Sequence, residues 1–380
     1  MGGRRNVCIT LVGELPHDSR CLRFASALAL DHNVTVLALA DTADSLRIGD
    51  VTVMQLARSN PSSLRASLWR FWDEGGAAAA DLHADVYIAS DLYSLPAAGA
   101  AATRTRAPLI YDSRELYPNI ASLQGHPIVR AYWRNTERRH ASKATSITTV
   151  NQSIAEILRG RYPGKRVEVL HNYPESAAPE RTSRLRDALG IPGELTILLS
   201  QGGLQKGRGA FLYVDCMAEL PGCALVFLGS GPLANDVLDR ARRLGVGDRV
   251  FVHPSVPSRE LLSWTASADI GLCMIENLGQ SYFLSLPNKL FEYIAAGLPV
   301  VGSDFPEIAR VIAGDGVGRI AAPDDASAYV RAVRELTDDV AAREACVTHC
   351  EIARQRYAWS GEAERLRALV DDAMTDGGRV

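Results

Sequence analysis

Short runs of β-branched and aliphatic residues alternate with helical patterns along nearly the whole chain, and this alternation restricts the fold more than any other feature. Parallel strands need a long return connection, usually a helix, so the pattern predicts α/β architecture with parallel sheets. In the first half the strand candidates are Val7–Val12, Val34–Leu39, Val86–Ala89, Leu109–Tyr111, Ser146–Val150 and Val167–Leu170. Helical stretches such as Ser19–Leu30, Leu92–Thr103, Ile128–Ser142 and Gln152–Arg159 lie between them. The second half repeats the scheme with Thr196–Ser200, Ala224–Leu228, Val250–Val252, Ile270–Met274, Val300–Gly302 and Gly318–Ile320, each followed by a helix. Turn formers crowd Asn172–Glu180, a natural linker. The expected organisation is two Rossmann-like, doubly wound parallel-sheet domains facing across a cleft, residues 1–172 and 186–356, joined by 173–185 and followed by a tail, 357–380. Ligands of open α/β sheets sit beyond the carboxyl ends of the strands, so functional residues are sought there.

Composition narrows the partners. With 47% apolar residues, 22% charged and a net charge of −3, nothing in the balance favours nucleic acid. No apolar run approaches the roughly 18 residues of a membrane-crossing helix. The opening Arg4-Arg5-Asn-Val-Cys-Ile-Thr-Leu-Val-Gly13 superficially looks like a signal peptide but reads better as a first buried strand. Seven scattered cysteines without Cys-x-x-Cys spacing suggest a reducing cytoplasm. No His/Cys cluster suggests zinc.

The segment Leu286-Pro-Asn-Lys-Leu-Phe-Glu-Tyr-Ile-Ala-Ala-Gly-Leu-Pro-Val-Val301 carries the densest chemistry. Pro287 suits a first helical turn, Lys289 and Glu292 share a face at i, i+3, and Gly297 ends the helix. A helix start bearing a cation attracts a diphosphate, and a carboxylate one turn later can accept from a ribose diol. The alternative is a Lys–Glu pair on a solvated face. Ser200-Gln-Gly-Gly-Leu-Gln-Lys-Gly-Arg-Gly209 adds flexible glycines and two cations, Lys206 and Arg208, at another strand end. Gly229-Ser-Gly231-Pro reads either as a tight turn or as a ligand contact.

The Leu286–Val301 segment closely resembles the donor-site motif of the family 4 retaining glycosyltransferases, which have the GT-B fold, in a subgroup reading Leu-Pro-Asn-Lys-Leu-Phe-Glu-Tyr. The resemblance makes Glu292 the ribose ligand. Where the family has a sugar-holding Glu this chain has Leu284, so sugar recognition is expected from the loop Gly279–Ser285, including its backbone N–H groups, and from Ser285 and Leu286. Arg208 matches a family cation, Gly203 replaces an earlier Arg, and Lys206 is placed to compensate. Gly229 and Gly231 resemble the family's Gly-x-Gly-Pro, and His253 stands where the base is cradled or serves the structure alone. With no Asp-x-Asp in the chain, Lys206, Arg208 and Lys289 are expected to do the work of a metal. No cofactor is then required beyond a nucleoside-diphosphate sugar, UDP- or GDP-linked, as co-substrate.

On the acceptor side, Asp18 or Ser19 is a helix N-cap or, with Arg20, an acceptor ligand. Tyr111-Asp-Ser-Arg-Glu-Leu-Tyr117 resembles the family's Tyr-Asp-x-His-Glu-Leu-Tyr, with Arg114 in place of the His. Asp91 and Arg114 become acceptor ligands and, with Glu115, the catalytic candidates; Glu115 or Asp91 would take the acceptor's proton. The basic helix Arg130–His140 could meet anionic lipid or an anionic acceptor, or be a solvated face. Tyr357-Ala-Trp-Ser360 and the helix after it resemble the family's tail, which crosses back to the first domain; Trp359 is an anchor for that crossing or a core filler. The implied function is retaining, metal-independent sugar transfer in the cytoplasm to a small-molecule, lipid-linked or saccharide hydroxyl, with peripheral contact at the inner membrane face left open. A nucleotide-sugar epimerase and a non-catalytic nucleotide-sugar-binding partner are the alternatives.

Overall fold

The computed structural model describes residues 3–58, 64–175 and 177–376. Two compact units emerge: residues up to Asn172 together with the tail from Ser360, and Tyr173–Trp359. The first carries β1 (Asn6–Val12), β2 (Asn33–Ala40), β3 (Ser45–Ile48), β4 (Val51–Ala57), β5 (Val86–Ala89), β6 (Leu109–Ser113), β7 (Ser146–Thr149) and β8 (Arg166–Val169). Their order is β3-β4-β2-β1-β5-β6-β7-β8. Every neighbouring pair is parallel except β3 with β4, an edge hairpin turned at Gly49, whose φ of +58° suits glycine. Those two strands are additions to the sequence-based set. In β3 no residue is buried, and in β4 only Val51 and Val53 are, so neither carries a strong apolar signature.

The second unit holds β9 (Thr196–Gln201), β10 (Cys223–Leu228), β11 (Val250–His253), β12 (Ile270–Cys273), β13 (Val300–Ser303) and β14 (Gly318–Ala321), in the order β11-β10-β9-β12-β13-β14 and parallel throughout. Its sheet is covered on both faces. Leu198, Leu225, Phe227 and Leu272 enter one core, while Ile197, Leu199, Val226 and Val300 enter the other. Burial on both sides explains why these strands read as continuous apolar runs.

Topology locates the sites. In the first sheet the chain winds outward from β1 through β2 and returns to β5 on β1's other side; in the second, β9 lies between β10 and β12. Crevices open at the carboxyl ends of such switch points. These are the segments after β1 and β5 in one unit and after β9 and β12 in the other.

The expected linker, 173–185, is anchored at both ends. Tyr173 packs edge-on against Phe291 with ring centroids 4.6 Å apart, and the helix Arg184–Leu189 begins inside it. Trp359 is 6% exposed and its backbone N–H donates to the Pro174 carbonyl at 2.9 Å. From Ser360 the last helix belongs with the first unit, where the Glu362 carboxylate accepts the His171 backbone N–H at 3.1 Å.

Candidate functional site

Four groups converge beyond β9 and β12 in the second unit. The helix Asn288–Ala295 begins one residue later than the sequence suggests: Pro287 is the N-cap, extended at ψ 137°, and its carbonyl accepts the Leu290 N–H at 3.1 Å. Among the described residues the N–H groups of Asn288 and Lys289 have no acceptor, as expected for a first turn. Lys289 is 7% exposed yet makes no ion pair or hydrogen bond among the described residues. Burial pulls its ammonium down to a pKa of about 8; Cys273 and Glu292 favour the charge and Arg208 opposes it. A desolvated cation beside a second cation is an arrangement that lacks its anion.

Glu292 is half-buried and held from the side. Gln201, the last residue of β9, donates Nε2 to its Oε2 at 2.5 Å, while the Gln201 Oε1 accepts from Thr265 Oγ1 at 2.8 Å. The Tyr293 hydroxyl accepts the Gln201 backbone N–H at 2.9 Å, fixing the strand end. The solvated Lys–Glu alternative does not describe this pair, since Lys289 is buried and the carboxylate sits in a relay. Sequence reasoning passed over Gln201 and Thr265. The available signal was a polar side chain at the very end of a buried strand.

The loop 202–209 is held by close backbone packing. A Cβ on Gly229 would stand 2.1 Å from the Gly202 carbonyl oxygen, and one on Gly231 would stand 2.1 Å from that of Leu204. Both glycines therefore let two loops touch, which makes the tight-turn reading the structural one. Gly231→Ala is expected to lower stability by about 1–3 kcal/mol, because the obstructing atom is backbone and cannot step aside; thermal unfolding measures it. Gly207, at φ +91°, abuts Tyr282, and Gly209 donates its N–H to Glu276 at 3.2 Å. Arg208 is half-buried; the Gln205 amide oxygen, oriented as the hydrogen bonds require, accepts from its Nε at 3.1 Å and Nη2 at 3.0 Å. Lys206 and Gly203 are exposed on the same loop.

The loop before the helix departs from expectation in one respect. The N–H groups of Phe283, Leu284 and Ser285 bond within the turn, to Gly279, Gln280 and Tyr282 carbonyls at 2.9, 3.0 and 3.1 Å. They are occupied and do not offer themselves to a sugar, because the short helix Gln280–Phe283 consumes them. Among the described residues the buried Ser285 Oγ has no partner, and Leu286 packs against the core. The His253 ring lies 4.5 Å from that of Trp264, and its backbone carbonyl accepts the Gly229 N–H at 2.8 Å.

In the first unit the predicted acceptor residues form an ion cluster. Arg20 is 4% exposed and grips Asp112 through both fork nitrogens, Nε to Oδ2 at 2.8 Å and Nη2 to Oδ1 at 2.7 Å, with Nη1 on the Leu170 carbonyl. Arg20 is thus corrected from acceptor ligand to internal brace: its fork is spent inside the protein. Arg114 donates Nη1 to Asp18 Oδ2 at 2.5 Å and Nε to Asp112 Oδ2 at 3.3 Å. Burial works against the Arg114 charge, but the Asp18 and Asp112 carboxylates outweigh it and hold the guanidinium protonated. Asp18 also caps the helix Ser19–Leu28, accepting the Cys21 N–H at 2.8 Å, so the cap role is realised. Asp91, 8% exposed, accepts the Ser94 N–H at 2.7 Å; burial lifts its pKa to about 6 against the pull of Arg114. Glu115 is exposed.

Two parallel-sheet α/β units, each with its polar residues at the carboxyl edge, define the GT-B architecture. Solved structures agree on the fold: sucrose-phosphate synthase from Thermosynechococcus elongatus superposes with a TM-score of 0.80 at 16% identity, covering 98% of this chain and all of that one. Anabaena Alr3699/HepE, solved in complex with UDP-glucose, gives 0.74 at 14% identity, covering 96% and 99%. The family model described as "Glycosyl transferase 4-like domain" matches residues 18–173, and that described as "Glycosyl transferases group 1" matches 197–339. The chain belongs to this glycosyltransferase family. Among relatives by sequence, the D-inositol 3-phosphate glycosyltransferase of Xylanimonas cellulosilytica is 29% identical over 214 residues, 55% of this chain and 49% of that protein. The chain spans about half the length of such relatives. Among the described residues no cluster of His, Cys, Asp or Glu could hold a metal ion, and no helix is long and apolar enough to cross a membrane.

Proposed function

We propose that the protein transfers a sugar from a nucleoside diphosphate to an acceptor hydroxyl, with retention of configuration and without a metal ion. The observation that carries this is Lys289, a buried ammonium with no ion pair among the described residues, beside Arg208 and the open start of the helix Asn288–Ala295. A diphosphate supplies the missing charge, and it is the leaving group whose departure these cations assist. Glu292, steadied by Gln201, takes the ribose diol. Ser285 Oγ, able to accept from a sugar hydroxyl, stands in for the carboxylate that Leu284 lacks, while the N–H groups of Asn288 and Lys289 donate to the diphosphate. The base lies by His253, and Lys206 adds charge from the loop rim. Asp91, protonated below about pH 6, is better matched to accept the acceptor's proton near neutrality than the exposed Glu115. UDP is the favoured nucleotide, since a structural neighbour was solved with UDP-glucose; GDP is the alternative.

The acceptor is a small molecule, a saccharide or a lipid-linked sugar, met in the cytoplasm. Ile128, Val129 and Tyr132 are 84%, 44% and 42% exposed on a helix rich in arginine, which supports peripheral contact with a membrane face. A non-catalytic nucleotide-sugar binder draws support from Leu284 and from the ion-paired Arg114. Acceptor-dependent release of nucleoside diphosphate by the purified chain decides between the two.

A thermal-shift panel of UDP, GDP, TDP and ADP in EDTA tests the donor site. The fitting nucleotide should stabilise by about 2.7 kcal/mol at a hundredfold excess over its Kd, and a flat panel contradicts the assignment. Binding should also carry a proton signature. Lys289 sits at about 8 when empty, below the ordinary lysine value, and a bound diphosphate raises it. Complex formation therefore takes up a proton at pH 8–9 and affinity falls as pH rises through 8. Calorimetry in buffers of different ionisation enthalpy measures both.

A further inference from the structure

We propose that the cavity between the helices Pro127–Ala141 and Gln152–Arg161 binds a phosphate-bearing anion, at a site separate from the strand-end residues above. It encloses about 360 Å³, the lower end of the range for small-ligand pockets. Arg130, Arg134 and Arg138 line it at i, i+4, i+8, so they share one helix face, and Arg161 adds a fourth guanidinium. The single carboxylate in the lining, Glu137, is 1% exposed and engaged: its Oε1 accepts from the Tyr111 hydroxyl at 3.1 Å and its Oε2 from Arg161 Nη1 at 3.3 Å. Arg130, Arg134 and Arg138 have no ion pair among the described residues.

Helix electrostatics do not account for the pattern. The negative helix end favours Arg138 and Arg161, which stand in last turns. Arg130 stands in a first turn, where a cation is disfavoured, and like charges at i, i+4 repel. Four guanidinium groups against one occupied carboxylate, in a chain of net charge −3, form a local excess that an anion would neutralise. Arginine forks match phosphate oxygens in pairs. The place is also distinct. Arg138 and Arg161 end helices that lead into the starts of β7 and β8, so that part of the cavity lies at the opposite sheet edge from Asp91 and Asp112. The phosphate could be carried by a soluble ester or by a lipid headgroup; the site does not depend on the transferase reading.

The test uses the full chain carrying Arg208→Ala and Lys289→Met, so that the second unit's cations do not contribute. Inorganic pyrophosphate is titrated calorimetrically, and vesicles of phosphatidylcholine with or without phosphatidylglycerol are co-sedimented. Adding Arg134→Gln and Arg138→Gln should weaken whichever probe binds by at least about tenfold, the loss of one charge-assisted bond. Arg134→Lys with Arg138→Lys should lose less; the glutamine pair should melt no lower than the parent because repulsion is relieved, and the lysine pair, which keeps both charges, should melt close to the parent. Pyrophosphate binding alone identifies a soluble ester as the source. Retention on phosphatidylglycerol vesicles that the glutamine pair abolishes, with no pyrophosphate binding in solution, identifies the headgroup. If neither probe binds, or the glutamine pair binds as the parent does, the proposal is overturned.

Discussion

Lys289→Met is expected to lower turnover by about 10²–10³-fold, the usual cost of removing one preorganised stabilising group, while leaving the melting temperature unchanged or higher. The two directions come from the same fact. Lys289 is buried, and among the described residues its charge has no hydrogen-bonded partner. A charge held that way costs stability in the empty protein, so an apolar side chain of similar length relieves the fold. It benefits function only when a diphosphate enters. A lysine retained for structure would show the opposite pattern, with stability falling and kcat intact. Arg208→Ala and Glu292→Ala should also cut turnover by orders of magnitude. For Glu292 the loss should appear in nucleoside recognition, because Gln201 aims its carboxylate by a 2.5 Å hydrogen bond. Steady-state kinetics with the matching nucleotide sugar, run beside thermal unfolding of each variant, provide both readouts.

Asp112→Ala is expected to cost about 3–5 kcal/mol of stability, the range for removing one partner of a buried ion pair. Asp112 is 1% exposed and its carboxylate accepts from Arg20, Arg114 and Thr148. Burial alone would raise its pKa, but Arg20 and then Arg114 reverse this, and the group is held below the usual carboxylate range. Truncation leaves the buried Arg20 guanidinium with no counter-charge. By linkage, a carboxylate with a lowered folded-state pKa contributes stability that is present above its unfolded pKa and is lost as pH falls through the folded value. The wild type should therefore lose this contribution in acid, whereas the alanine variant has none to lose. Urea unfolding at neutral and acidic pH measures the difference.

The strands were legible where both faces of a sheet are covered. Cys223–Leu228 is buried at every position, and such a run needs no partner in view to be recognised. The hairpin Ser45–Ile48 with Val51–Ala57 was not, because an edge strand half open to solvent carries little apolar pattern. The motif around Lys289 and Glu292 was visible because its residues are neighbours on one helix. What orients it was not. Gln201 reaches Glu292 across 91 positions and Thr265 supports Gln201 across 64, so only the fold brings them together. Arg20 misled for the same reason: its partner Asp112 is 92 positions away, and nothing local shows the side chain turning inward. The occupied N–H groups of residues 283–285 follow from one short helical turn that no strong periodicity announced.

Calorimetric titration of UDP and GDP into EDTA-treated protein, wild type beside Lys289→Met, bears most directly on whether the second unit grips a diphosphate through its own cations. Undiminished binding to the chelated wild type, with loss of at least about tenfold in the variant, is the predicted result. Binding that disappears with the chelator, or that is equal in the two proteins, would contradict it.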